Sequence, residues 1–284
     1  MYFFHPIVVS FLLFNLFDST QGLFWKNTKK KSVITISPSG LHGYYLLGIS
    51  SYLKEHYDLS SYEFSGASAG SWISLIMSYK GQNRKIVEDV LDVTQQSKQS
   101  IRSIGKGLRD LFLKSGKYST RDFDLERCYM GLIEVNWKKW PMESRTLIYN
   151  KFRTLEDAVY CCIASSHVPF IMGDVFRKYR NLYAIDGGFG PNPYYGNGHV
   201  NGNCVEPDIE SLDCSLDTIS QKNAKLHIHP FIWYNRNVTA MEYLMNQFRL
   251  FLDLFQTNQM NFTSIYWEGY NDAKKQRQYF DKII

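Results

Sequence analysis

Apolar residues along this chain alternate between short continuous runs and stretches that recur every three to four positions, the pattern of strands alternating with helices. The run VITI at 33–36 reads as a buried strand, followed by a Ser-Pro-Ser-Gly turn and a helix with Leu46, Leu47, Ile49, Tyr52 and Leu53 on its apolar side. A second short apolar run leads into Gly66, and a helix over 71–79 follows. Apolar spacing at Ile86, Val87, Val90 and Leu91, then at Ile101, Ile104, Leu108, Leu111 and Leu113, predicts two amphipathic helices. Their polar sides carry both signs of charge, which suits a helical layer over a sheet; an interfacial lid is the alternative. Further along, the pattern predicts a helix over 118–130 with Thr120 as its N-cap, a strand at 147–149 and a helix at 155–164. Strands follow at 175–179, 182–185 and 225–233. A helix over 238–255 carries Met241, Leu244, Met245, Phe248 and Leu252 on one side. Residues 196–220 lack periodicity and read as a surface loop.

This order predicts a single α/β domain, a three-layer α/β/α sandwich with a mostly parallel central sheet, over 32–230. Residues 231–284 read as a helical extension packed on the same domain. Before it, residues 7–17 form an apolar stretch of the length of a signal-peptide core and short for a membrane span. Thr20 and Gly22 offer small residues for cleavage, whereas the lysines after the stretch favour an uncleaved anchor with the body in the cytoplasm. Residues 1–22 are therefore read as a signal peptide or anchor, and the protein as secreted or membrane-associated; a cytoplasmic protein is the alternative if the segment is not a targeting signal.

A net charge of +5 is too mild to argue for nucleic acid, and the chain has no zinc, helix-turn-helix or RNA-binding signature. Of its five cysteines, Cys161 and Cys162 fall in an apolar helical stretch and read as core. Cys204 and Cys214 flank a polar loop and could pair in an oxidising compartment, which leaves Cys128 over. Asn-x-Thr sequons at Asn237 and Asn261 are no more than a chain of this composition yields by chance.

Three glycine-rich stretches carry candidate chemistry. In FSGASAGSWISL the spacing Gly66, Ser68, Gly70 is that of a strand turning so sharply into a helix that only glycine relieves the crowding, with the serine hydroxyl thrust outward. The N–H groups of the following helix, from Ala69 on, face an anion formed there, as acyl transfer requires. Upstream, SPSGLHG repeats the plan of strand, small-residue loop and helix, and Gly40 and Gly43 could shape an oxyanion hole. Downstream, in NLYAIDGGFGPNP, Asp186 ends an apolar run before Gly187 and Gly188, where a carboxylate could take the Ser68 proton. Each stretch alone is also an ordinary tight turn. His227 and His229 alternate on the 225–233 strand, so the order Ser, Asp, His of an α/β-hydrolase triad stays open, as does a metal-binding pair. His167, beside Val168-Pro169, reads as structural.

Together the three stretches resemble the patatin-like phospholipase family, over roughly residues 32–195 and more weakly to Pro230. The segment TLEDAVYCCIASSHVPFIMG and the pair Asn192-Pro193 fall in that family's order too. The resemblance implies Ser68 as nucleophile, Asp186 as base, and Gly40, Leu41 and Ala69 as oxyanion donors. Gly43, Gly66, Gly70, Gly187 and Gly188 are the motif glycines. It implies hydrolysis of lipid acyl esters at a membrane or micelle interface, with no metal or organic cofactor. Pro38 and Ser39 stand where the family commonly has glycines, and His42 where it commonly has Arg or Lys. A non-catalytic lipid-binding protein of the same fold is a further alternative.

Overall fold

The computed structural model describes residues 32–138, 143–189, 224–230, 232–233, 253 and 255–284. Residues 1–22, the loop 196–220 with Cys204 and Cys214, Asn237 and almost all of the helix expected over 238–255 lie outside them. Among the described residues seven strands form one sheet: β1 (Ser32–Ile36), β2 (Tyr62–Ala67), β3 (Cys128–Asn136), β4 (Glu143–Tyr149), β5 (Arg177–Tyr179), β6 (Leu182–Ile185) and β7 (Ala224–Ile228). The helices are α1 (Gly43–His56), α2 (Ala69–Met77), α3 (Asn83–Gln96), α4 (Ile101–Lys114), α5 (Leu155–Ser165), α6 (Phe262–Lys275) and α7 (Arg277–Phe280). The fold is mixed α/β, a mostly parallel central sheet flanked by helices.

The order across the sheet is β5-β6-β3-β2-β1-β7, with β4 also on β3. Strands β7, β1, β2 and β3 run parallel. Strands β1 and β2 are buried on both sides; β1 accordingly reads as an unbroken apolar run, whereas β2 keeps Glu63 and Ser65 buried among its apolar residues. Strand β3 outruns β2. Its first half, Cys128 to Gly131, pairs with β2, while Ile133 and Glu134 pair with the antiparallel β6. Because β4 occupies the other edge of β3 along this length, β2 and β6 share one edge and meet end to end there. The turn leaving β2 is therefore brought onto the turn leaving β6.

The apolar sides expected for α1, α3 and α4 are the buried ones: Leu46, Ile49, Leu53, Ile86, Val90, Ile104 and Leu108 all lie in one core. Burying each such side chain is worth about 1.5–3 kcal/mol. The helix expected over 118–130 does not form. Short turns at Thr120–Asp122 and Leu125–Arg127 lead instead into β3. Ser119, not Thr120, caps the first turn, through a reciprocal pair of hydrogen bonds with Asp122. The Thr120 hydroxyl instead accepts from the Leu155 N–H at 2.9 Å, tying this segment to the start of α5. Smaller corrections are at the ends: α2 starts at Ala69, β4 at Glu143 and β5 at Arg177, and β7 stops at Ile228.

Helix α6 packs along α1 with the backbones almost touching. A Cβ on Gly48 would lie 2.1 Å from the Tyr266 carbonyl oxygen, and one on Gly269 would lie 2.0 Å from that of Tyr45. The Tyr45 hydroxyl adds a 3.0 Å hydrogen bond to Asp272. Asn261 caps α6 by accepting from the Ser264 N–H at 3.0 Å. Among the described residues, no helix is long and apolar enough to cross a membrane.

Gly48→Ala should therefore lower the unfolding midpoint and cost about 1–3 kcal/mol, although alanine is ordinarily the better helix former. Denaturant titration checks this, and an unchanged or raised midpoint would contradict the close packing of α1 on α6.

Candidate active site

Ser68 follows β2 directly and precedes α2, with φ 53° and ψ −125°, a conformation that disfavours any residue with a Cβ. It is held there from several sides. Its N–H donates to Ser165 Oγ at 2.8 Å, and that hydroxyl donates to the Gly131 carbonyl at 2.5 Å. Its own carbonyl accepts from the Ser71 hydroxyl at 2.6 Å and from the Ser71 N–H at 3.0 Å. Gly66 and Gly70 are required by space: a Cβ on Gly66 would sit 2.2 Å from the Gly70 oxygen, and one on Gly70 2.3 Å from the Ile36 oxygen.

The Ser68 hydroxyl donates to Asp186 Oδ2 at 2.7 Å, and the other carboxylate oxygen accepts from the Gly188 N–H at 2.7 Å. The Asp186 N–H donates to the His167 carbonyl at 2.8 Å. Gly187 is needed where this turn crosses β3, since a Cβ there would lie 2.4 Å from the Gly131 oxygen. Burial pushes the Asp186 carboxyl up to about 6, with the bonds from Ser68 and Gly188 holding it back. It is thus ionised at neutral pH and still basic enough to accept a proton.

Gly40 and Leu41 open a short turn, Gly40–His42, that runs straight into α1, and Gly40 has φ 52°. Their N–H groups belong to a first turn that leaves its donors without intrahelical partners. The start of α1 abuts the start of α2: a Cβ on Gly43 would lie 2.6 Å from Ala69 Cβ. A Cβ on Gly188 would lie 3.0 Å from Pro38 Cβ, so the Asp186 turn also abuts this loop. Gly40, Leu41, Ala69, Ser68 and Asp186 are thereby brought into one cluster at the carboxyl ends of β1 and β2.

Two contributors escape recognition in the sequence: Ser165 and the His167 backbone, which position Ser68 and Asp186. The buried Ser39 hydroxyl in the loop has no hydrogen-bond partner among the described residues.

The histidines are engaged differently. His227 lies with Nδ1 2.7 Å from the Thr35 hydroxyl and Nε2 3.3 Å from the Ser37 hydroxyl, and its ring stacks on His229 at 4.9 Å. Burial pushes His227 down to about 3 and His229 down to about 4, so both are neutral at physiological pH. Among the described residues no histidine side chain is bonded to Ser68 or Asp186. His42 Nε2 is 3.1 Å from Asp253 Oδ2. His167 donates from Nε2 to the Asp174 carbonyl at 2.9 Å. Cys128, Cys161 and Cys162 are buried free thiols; burial pushes Cys128 up to about 12. Comparison with family models and with curated proteins yields no match for this chain.

The strained backbone at position 68 predicts an inverted order of stability. Ser68→Gly should be more stable than Ser68→Ala by about 1 kcal/mol, because relief of the positive φ outweighs the entropy that glycine adds to the unfolded chain. Both variants lose the hydroxyl, so paired denaturant titrations isolate the backbone contribution, and the usual order of alanine above glycine would count against strain.

Proposed function

We propose that this protein is a serine acyl hydrolase of the patatin-like kind, with a three-layer α/β/α core, that cleaves carboxylic esters of lipids. The observation that carries the reading is the 2.7 Å hydrogen bond from the buried, backbone-strained Ser68 hydroxyl to Asp186, at the start of α2. In the proposed reaction Asp186 accepts the Ser68 proton as Oγ attacks the ester carbonyl. The oxyanion is met by N–H groups of Gly40, Leu41 and Ala69, aided by the dipole of α2, whose first turn carries no acidic residue. Collapse expels the alcohol, which takes the proton from Asp186. Water then attacks the acyl-serine with Asp186 again as base, freeing the fatty acid and restoring Ser68. The lipid nature of the ester rests on the resemblance of the three motifs in their order.

A base that is already neutral below pH about 6 gives the reaction a defined acid limb. Fatty-acid release from phospholipid and acylglycerol micelles should rise through that pH. Ser68→Ala and Asp186→Asn should each lower the rate by about a thousand-fold or more. His227→Ala/His229→Ala should still hydrolyse. Equal loss in the histidine variant would favour a Ser-Asp-His triad, and a wild type that binds micelles without releasing fatty acid would favour a lipid-binding protein.

A further inference from the structure

Beside the Ser68 cluster lies a cavity of about 240 Å³ that the hydrolytic chemistry does not use. One wall is the helix α4, where Arg102, Lys106 and Arg109 recur at helical spacing and face it together. The opposite wall is the loop after α5 and the start of β5, which brings Arg177. Arg109 is neutralised by Asp110 at 2.8 Å, but among the described residues Arg102, Lys106 and Arg177 have no carboxylate partner. Against these cations, among the described residues of the lining, stands the single carboxylate of Asp174. Trp72 and Met172 supply apolar surface. Two glycines keep the space open: a Cβ on Gly105 would press on Met172 Cε at 3.1 Å, and Gly173, at φ 116°, lets the Arg102 guanidinium lie where a side chain would otherwise stand, 3.3 Å away.

The cavity is mechanically joined to the candidate site. Trp72 stands about one helical turn beyond Ser68 on α2, and its Nε1 donates to Ser166 Oγ at 3.1 Å. Ser166 and His167 line the cavity, and the same short segment holds the dyad: Ser165 receives the Ser68 N–H, and the His167 carbonyl receives that of Asp186. Ligand clefts that take a whole amphiphile run to about 300–1,000 Å³, so this space suits a headgroup rather than an acyl chain. Unpaired guanidinium and ammonium groups facing each other recognise phosphate above all, the arginines through paired N–H donors.

We propose that this cavity is a headgroup subsite that binds the phosphate of a glycerophospholipid through Arg102, Lys106 and Arg177, and so selects phosphate-bearing esters over neutral acylglycerols. The proposal rests on the hydrolytic reading of Ser68 and Asp186, but its test need not involve turnover. Calorimetric titration of the full wild-type chain would use three probes: an ether-linked alkylglycerol phosphate that cannot be hydrolysed, the neutral alkylglycerol of the same chain length, and inorganic phosphate. The phosphate amphiphile should bind about ten-fold or more tightly than the neutral one, with a preference that weakens as salt is raised. Arg102→Gln/Lys106→Gln, which alters two exposed side chains, should abolish that preference; the charge-matched Lys274→Gln/Lys282→Gln should retain it. Equal binding of the two amphiphiles, or a preference that survives Arg102→Gln/Lys106→Gln, would overturn the proposal. Inorganic phosphate binding as tightly as the phosphate amphiphile would make this a free-anion site and overturn it too. A wild type that shows the preference but hydrolyses nothing would retire the hydrolytic reading alone.

Discussion

The site depends on one steric arrangement: two strands of opposite direction meet end to end along β3, with almost no side chain between them. Gly131 is the crossing point. Its partner on β2 is Ala67, its carbonyl accepts from Ser165, and its oxygen stands where a Cβ on Gly187 would be. With any larger residue at these positions the turns after β2 and β6 would be pushed apart, and a hydrogen bond that tolerates only a few tenths of an ångström would be lost. The glycines on either side of Ser68 and after Asp186 serve that closeness.

The same crowding sets the electrostatics. A carboxylate buried beside apolar strands loses hydration, and here two hydrogen bonds replace only part of it, which leaves the group more basic than an aspartate in water. Burial thus turns a weak base into a useful one without any neighbouring charge. His227 of β7 and the adjacent His229 experience the opposite effect from the same cause, since desolvation removes their proton at physiological pH. One physical term, applied to an acid and to a base, separates the group suited to take a proton from the groups that are not.

How legible each part is in the sequence depends on how local its physical demand is. Gly66, Gly70 and Gly187 stand at sharp turns and can be read from spacing, as can the apolar sides of α1, α3 and α4, although the atoms that crowd Gly70 and Gly187, the Ile36 and Gly131 oxygens, belong to other strands. The segment 118–130 misleads because Leu125, Cys128 and Tyr129 fall at helical spacing over a short window, while the alternation along β3 shows only across Cys128, Met130 and Leu132. Ser165 and the His167 carbonyl are illegible, since one is a hydroxyl among many and the other a group every residue carries. Arg102 and Lys106 can be seen as a helical stripe, but Arg177 joins them only through the fold.

The contact between α1 and α6 has a consequence for the order of assembly. Tyr45, two residues into α1, is bonded to Asp272, 227 positions later in the chain. The loop at Gly40 hangs on the front end of α1, so its shape is secured by a helix synthesised long after the rest of the cluster. During translation the strands and elbow can form while that clamp is still missing, and long-range closures of this kind come late and slowly. A nascent chain would therefore carry Ser68 and Asp186 before the Gly40 loop beside them is secured, a built-in delay between being folded in outline and holding the whole cluster in place.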